Sequence, residues 1–147
     1  MDYFSAFEVS AAGMGIERLR LDVSAINLAN AHTTRGPEGA LFKPLRVVAH
    51  TNAALPFEAA LQSALFGLSI SPFADVSVET TESAPRQAYE PGHPDADERG
   101  FVSYPDVNPV SEMLNLVTVT RAYEANVRAM NIAKSMALKA LEIGGGR

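Results

Sequence analysis

Apolar positions recur along this chain in two rhythms, and the change of rhythm divides it into three. Near the start, Val9, Ala12, Ile16, Leu19, Val23, Ile26 and Asn30 follow one another at alternating spacings of three and four. That is the seam of a heptad helix, apolar except at its last position. A second row, Phe4, Phe7, Ala11 and Met14, continued by Leu21, Ala25 and Leu28, widens the apolar surface beyond what one partner helix would cover. More than one neighbour is implied. Toward the other end, Met113, Leu116, Thr120, Tyr123, Val127 and Met130 form a stripe that drifts to Ala133, Ala137, Ala140 and Leu141. Between these ends, Leu45 to Ala49 and Val76 to Thr80 read as short strands by their β-branched content, and Pro56 to Gly67 as a short helix.

Proline sets the boundaries. Inside a helix it costs about 3 kcal/mol, and all nine prolines lie between Pro37 and Pro109. Two proline-free ends are left for long helices, Met1 to Gly36 and Val110 to Arg147. Asn108-Pro109 offers an N-cap followed by Pro at the first helical position, Glu112 suits the positive end of the helix dipole, and Gly144-Gly145-Gly146 ends the run. The first helix would be about 45 Å at most and the second about 50 Å, too long to be buried in a globule of this size. Gly13 and Gly15 weaken the first by about 1 kcal/mol each and mark a kink, a late start near Ile16 or a close backbone contact.

The pattern predicts a mainly α chain with a small β-containing insert. Residues 1–36 and 109–147 form a discontinuous helical unit, paired as an antiparallel coiled coil. Residues 37–108 form a Pro-rich β/loop insert, an extended arm or a small β domain, read as a hairpin-like appendage with Tyr89 to Val107 as an extended, turn-rich arm. A lone helix pair buries too little surface to offset a chain entropy of about 1 to 2 kcal/mol per residue, so neighbours must supply the rest. The helical ends are therefore expected to be largely disordered in the monomer and to fold on assembly.

Composition narrows the chemistry. With 147 residues, 47% apolar and 20% charged, the chain suits one domain with an ordinary core. A net charge of -5, with dispersed basic residues, argues against binding nucleic acid. There is no cysteine to make a disulfide, a thiolate metal site or a nucleophile. The first residues lack the basic and apolar regions of a cleaved signal peptide, and no apolar run approaches the roughly 20 residues that span a bilayer. The expectation is a protein that is not integral to a membrane and that leaves the cytoplasm, if it does, by another route.

His93, Asp95, Asp97 and Glu98 form the one cluster with metal-ligand chemistry, set against a plainer reading as a solvated turn between prolines. No nucleophile motif or phosphate-cradling glycine loop is present. Neither enzyme activity nor a cofactor is expected. Asn27 and Asn30 either cap the end of the first helix locally or fix register between subunits as polar residues in an apolar seam.

The stretch Leu21 to Arg35, LDVSAINLANAHTTR, resembles the N-terminal signature shared by bacterial flagellar rod, hook and hook-associated proteins. Tyr89 to Asn108, YEPGHPDADERGFVSYPDVN, with Arg121 to Asn126, RAYEAN, and Ala140 to Gly144, ALEIG, is similar to the proximal-rod members of that family. The resemblance implies a structural subunit of the proximal rod of the flagellar basal body, located in the periplasm. It implies export through the flagellar type III apparatus, and terminal helices polymerising around the export channel and helping to transmit torque. Its partners would be itself, other rod subunits, the export apparatus and the basal-body membrane ring. The expected subunit interface comprises Val9, Ala12, Ile16, Leu19, Val23, Ile26, Asn27, Asn30, Met113, Leu116, Thr120, Tyr123, Asn126, Val127, Met130 and Leu141. The competing readings are another flagellar axial protein, a soluble coiled-coil adaptor and a small metal-dependent enzyme that would need the His93 cluster.

Overall fold

The proline-free ends fold as the spacing of their apolar residues requires. In a computed structural model of the chain, which describes residues 3–36, 39–50 and 75–145, helix α1 spans Tyr3–Asn30 and helix α2 spans Pro109–Gly145. Of residues 3–6, 50, 75 and 145 the backbone alone is described. At 1.5 Å per residue the helices measure about 42 Å and about 55 Å. The second begins where the sequence places its cap: the Val110 and Ser111 N–H groups donate to Asn108 Oδ1 at 3.0 and 3.3 Å. Pro109 has no N–H to satisfy, so the first turn opens without an orphan donor there.

The helices run antiparallel. Asn27 meets Glu112 at one level and Gly13 meets Asn126 at another, two heptads away on both helices. Of the three meanings open for Gly13, the structure selects the close contact. A Cβ built on it would stand 3.0 Å from Asn126 Nδ2, whereas one on Gly15 would have nothing within 4 Å. The helix continues through both glycines.

Two antiparallel strand pairs fill the described part of the insert. Strand β1 (Leu45–His50) pairs with β2 (Asp75–Thr80), Val47 opposite Val78. Strand β3 (Arg86–Tyr89) pairs with β4 (Phe101–Tyr104), Ala88 opposite Val102. The segment from Tyr89 to Val107 therefore differs from the extended arm expected of it, because it doubles back as a hairpin. Asp97 closes the turn, its Oδ1 accepting from the N–H groups of Arg99 at 2.9 Å and Phe101 at 2.8 Å. Gly100 supplies a φ of 82° there, with Tyr89 and Pro91 lying where a side chain would project. The helix expected over Pro56 to Gly67 lies outside the described residues.

Strand β4 points Val102 and Tyr104 inward and Phe101 and Ser103 outward. Val102 is fully buried, and with Tyr104, Pro105, Val107 and Ala31 it forms a small core where the hairpin meets the end of α1. No helix among the described residues is long and apolar enough to cross a membrane.

Candidate assembly surface

The stretch that follows Leu21 works as a junction. Asn27, only 2% exposed, holds the backbone of Leu45 at both ends of its amide. Its Nδ2 donates to the Leu45 carbonyl at 2.8 Å, and its Oδ1 accepts the Leu45 N–H at 2.8 Å. The same Nδ2 also donates to Glu112 Oε1 at 3.2 Å. One buried amide thus ties α1, the start of β1 and the first turn of α2 together, so the capping role considered for Asn27 is replaced by a link between elements. Asn side chains can do this because each carries both a donor and an acceptor.

Asn30 does cap, without the left-handed conformation common at helix ends. No residue other than glycine adopts positive φ among the described residues, and Asn30 instead donates Nδ2 to the Ile26 carbonyl at 2.9 Å. Thr33 Oγ1 donates to Asn30 Oδ1 at 3.3 Å, Thr34 Oγ1 to Asp95 Oδ2 at 2.8 Å, and Arg35 pairs with Asp95 Oδ1 at 3.1 Å. The turn after α1 is thereby fastened to the loop of the β3–β4 hairpin.

Tyr104 sits at the centre of that attachment. Its ring meets His32 and His93 edge-on, with centroids 6.2 and 6.4 Å away, and the Arg86 guanidinium lies 5.6 Å from its centroid. Its hydroxyl donates to Glu90 Oε2 at 3.0 Å. That hydrogen bond, then burial and the charge of Glu90, raise the phenol above its ordinary pKa of 10.0, with Arg86 opposing. The cluster singled out for metal chemistry is engaged here as turn structure. Asp95 holds Thr34 and Arg35, Asp97 holds backbone N–H groups, and His93 Nδ1 accepts the Asp95 N–H at 3.1 Å.

Along the helix pair, most of the buried residues of α1 are small or polar. Ser10, Ser24 and Asn27 are buried, Gly13 lies against Asn126 in the same heptad row, and Val23 on α1 and Val119 on α2 are buried beside them. This seam runs one residue later than the apolar stripe, because small side chains let the helices approach closely and Asn27 must reach Leu45. The apolar stripe then flanks the seam. Val9, Ile26, Met113, Thr120, Tyr123 and Leu141 are exposed, Val9 at 58% and Leu141 at 71%. Ala12, Ile16, Leu19, Asn30, Leu116, Asn126, Val127 and Met130 are half-buried, while Val23 and Asn27 are buried within the chain. Sequence periodicity missed Ser10, Ser24 and the partners of Asn27; the available signal was a row of small or polar residues at heptad spacing, Ser10, Gly13, Ser24 and Asn27, with Glu17 and Arg20 between them.

Comparison with known proteins gives the family. Residues 98–143 match the family described as flagellar basal body rod FlgEFG protein C-terminal. The chain is similar to the flagellar basal-body rod protein FlgC of Escherichia coli O6:H1, 35% identical over 144 residues that cover 98% of this chain and 99% of the relative. It is 39% identical to the protein of that name from Bacillus subtilis over 149 residues, with the same coverage. To that of Aquifex aeolicus it is 35% identical over 138 residues, 92% of each chain. The chain belongs to the FlgC family of flagellar basal-body rod proteins, structural subunits of that rod.

Proposed function

We infer that this chain is a subunit of the proximal rod, built into it through the apolar rows that its own helix pair leaves uncovered. The observation that carries the reading is the offset between seam and stripe. The chain closes on itself through Ser10, Gly13, Val23, Ser24 and Asn27, while Val9, Ile26, Met113, Tyr123 and Leu141 stay on the surface. Apolar side chains exposed along both flanks of a rod fit neighbours on more than one side. Copies of itself and other rod subunits would supply them.

On this reading the helical unit, residues 1–36 with 109–147, forms the inner layer around the export channel, and the insert, residues 37–108, lies outside it. The Asn27 junction would keep the two rigid against each other, which suits a shaft that transmits torque. The flagellar type III export apparatus delivers the chain to the periplasm, and the membrane ring is a further contact at the base. The helix pair is marginal alone and completes its folding on assembly. The role is structural and not enzymatic.

Isolated basal bodies from cells producing an affinity-tagged chain test the reading. The chain co-purifies with the rod if it is correct. Recovery as a discrete soluble oligomer with no basal-body fraction would favour a coiled-coil adaptor instead.

A further inference from the structure

Between α1, β1 and α2 lies a cleft of about 400 Å3, lined by Val23, Asn27, Leu45, Val47 and Val119, with Glu112 in its wall. Glu112 Oε1 accepts from Asn27, whereas its Oε2 is buried and accepts no hydrogen bond among the described residues. A buried carboxylate oxygen without a donor is unfavourable unless a cation or donor reaches it. The two guanidiniums lining the cleft, those of Arg20 and Arg46, turn outward instead, to Glu17 and Glu79 at 3.2 Å each.

The opposite end of the molecule offers a matching feature. The register set by Asn27 with Glu112 and Gly13 with Asn126, carried along both helices, brings Tyr3 level with Met136. From Ala137 to Gly145, α2 has no α1 residue opposite it. This overhang exposes Leu138, Leu141 and Ile143, and it carries Lys139 and Glu142 one turn apart on one face. Lys139 makes no ion pair among the described residues.

We propose that the α2 overhang of one copy lies across the mouth of this cleft in the next copy, with Lys139 reaching in to Glu112 Oε2. Glu142 then meets the Arg20 and Arg46 guanidiniums. The proposal rests on the rod-subunit reading and adds which surfaces of two copies meet. Charge complementarity carries it: a cation and an anion on the overhang face an unpaired carboxylate oxygen and two surface cations at the cleft. The cleft has room for long side chains and not for a helical turn, so the helix stays outside while its side chains enter. The contact is heterologous, an end against a flank, so it can repeat from copy to copy and need not close into a ring.

Glu112 and Lys139 of one copy lie about 40 Å apart along one helix, so any direct link between them joins two copies. The test is zero-length carbodiimide cross-linking of isolated basal bodies, with peptide mass spectrometry, alongside Lys139 variants. The expected product is an amide between Glu112 and Lys139. Lys139→Glu lowers incorporation into the rod by about tenfold or more, and Lys139→Arg keeps it. Position 139 is exposed, so these variants leave the Asn27 junction intact. Glu112 linked to a different lysine, or Lys139→Glu incorporated at the wild-type level, overturns the proposal while leaving the rod reading standing. Absence of the wild-type chain from basal bodies counts against both.

Discussion

Asn126 lies against the backbone of Gly13, so close that a Cβ at position 13 would stand 3.0 Å from its amide nitrogen. The contact sets how near α1 and α2 approach, and it distinguishes two glycines that look equivalent in the sequence. Gly13→Val should weaken the helix pair by about 1 to 3 kcal/mol, the usual cost of overpacking. Gly15→Ala should strengthen it by about 0.5 to 1 kcal/mol, since its position is open and alanine favours the helix. Trimethylamine N-oxide, which favours burial, can fold the isolated chain for the measurement. Circular dichroism should then show a higher osmolyte midpoint for Gly13→Val and a lower one for Gly15→Ala. Equal shifts would show that Asn126 does not govern the spacing.

The hub at Asn27 gives a sharper effect. Asn27→Leu strands the N–H and carbonyl of Leu45 in a partly buried place, at about 1 kcal/mol or somewhat more. Asn27→Asp should be worse, because it sets a second carboxylate beside Glu112. Hydrogen exchange in the osmolyte-folded chain should show the Leu45 amide losing protection in both variants. Unchanged protection would mean that the strand does not depend on this side chain.

These residues also show how far the sequence could be read. The helices were legible because proline excludes them from the middle and because Asn108-Pro109 is a local signal that needs no tertiary context. Strands β1 and β2 were legible within a residue at their ends, from β-branched content. The hairpin of β3 and β4 was not. Its turn depends on the Asp97 side chain bonding to backbone and on Gly100 at positive φ, and proline-rich spacing conceals both. The pairing seam was hidden for a different reason. Ser10, Gly13 and Ser24 carry no hydrophobic signal, so periodicity found the apolar stripe beside the contact. Nor does a side-chain pattern reveal that Asn27 pairs with the backbone of Leu45.

Asp95 fastens the hairpin loop to the turn after α1 through Thr34 and Arg35. Arg35 is well exposed, so its ion pair contributes less than about 1 kcal/mol, and the Thr34 hydrogen bond adds a similar amount. Asp95→Ala should leave the helices intact while the loop from residue 90 to 100 is cut faster by protease. Thr34→Ala should give a smaller acceleration. No change in cleavage rate would show that the loop is held by Tyr104 alone.

The Tyr104 phenol is raised above its ordinary value by the hydrogen bond to Glu90. The folded chain therefore keeps this proton more tightly than the unfolded one. Its stabilising contribution is complete below about pH 10 and falls as pH rises through the higher folded value. Ultraviolet difference titration of the osmolyte-folded chain against Tyr104→Phe should place the transition above pH 10, and Glu90→Gln should bring it down. A transition unaffected by Glu90→Gln would remove Glu90 as the cause.

The central claim is that the chain pairs with itself through a narrow, mostly small and polar seam that includes Val23, and leaves the exposed part of its apolar rows for neighbours. Electron cryomicroscopy of isolated basal bodies measures this directly. The account predicts rod density that fits this chain, with Asn27 against Leu45 and Glu112 within one subunit. Val9, Ile26, Met113 and Tyr123 should be covered by adjacent subunits. Those rows facing solvent, or the rod built without this chain, would contradict it.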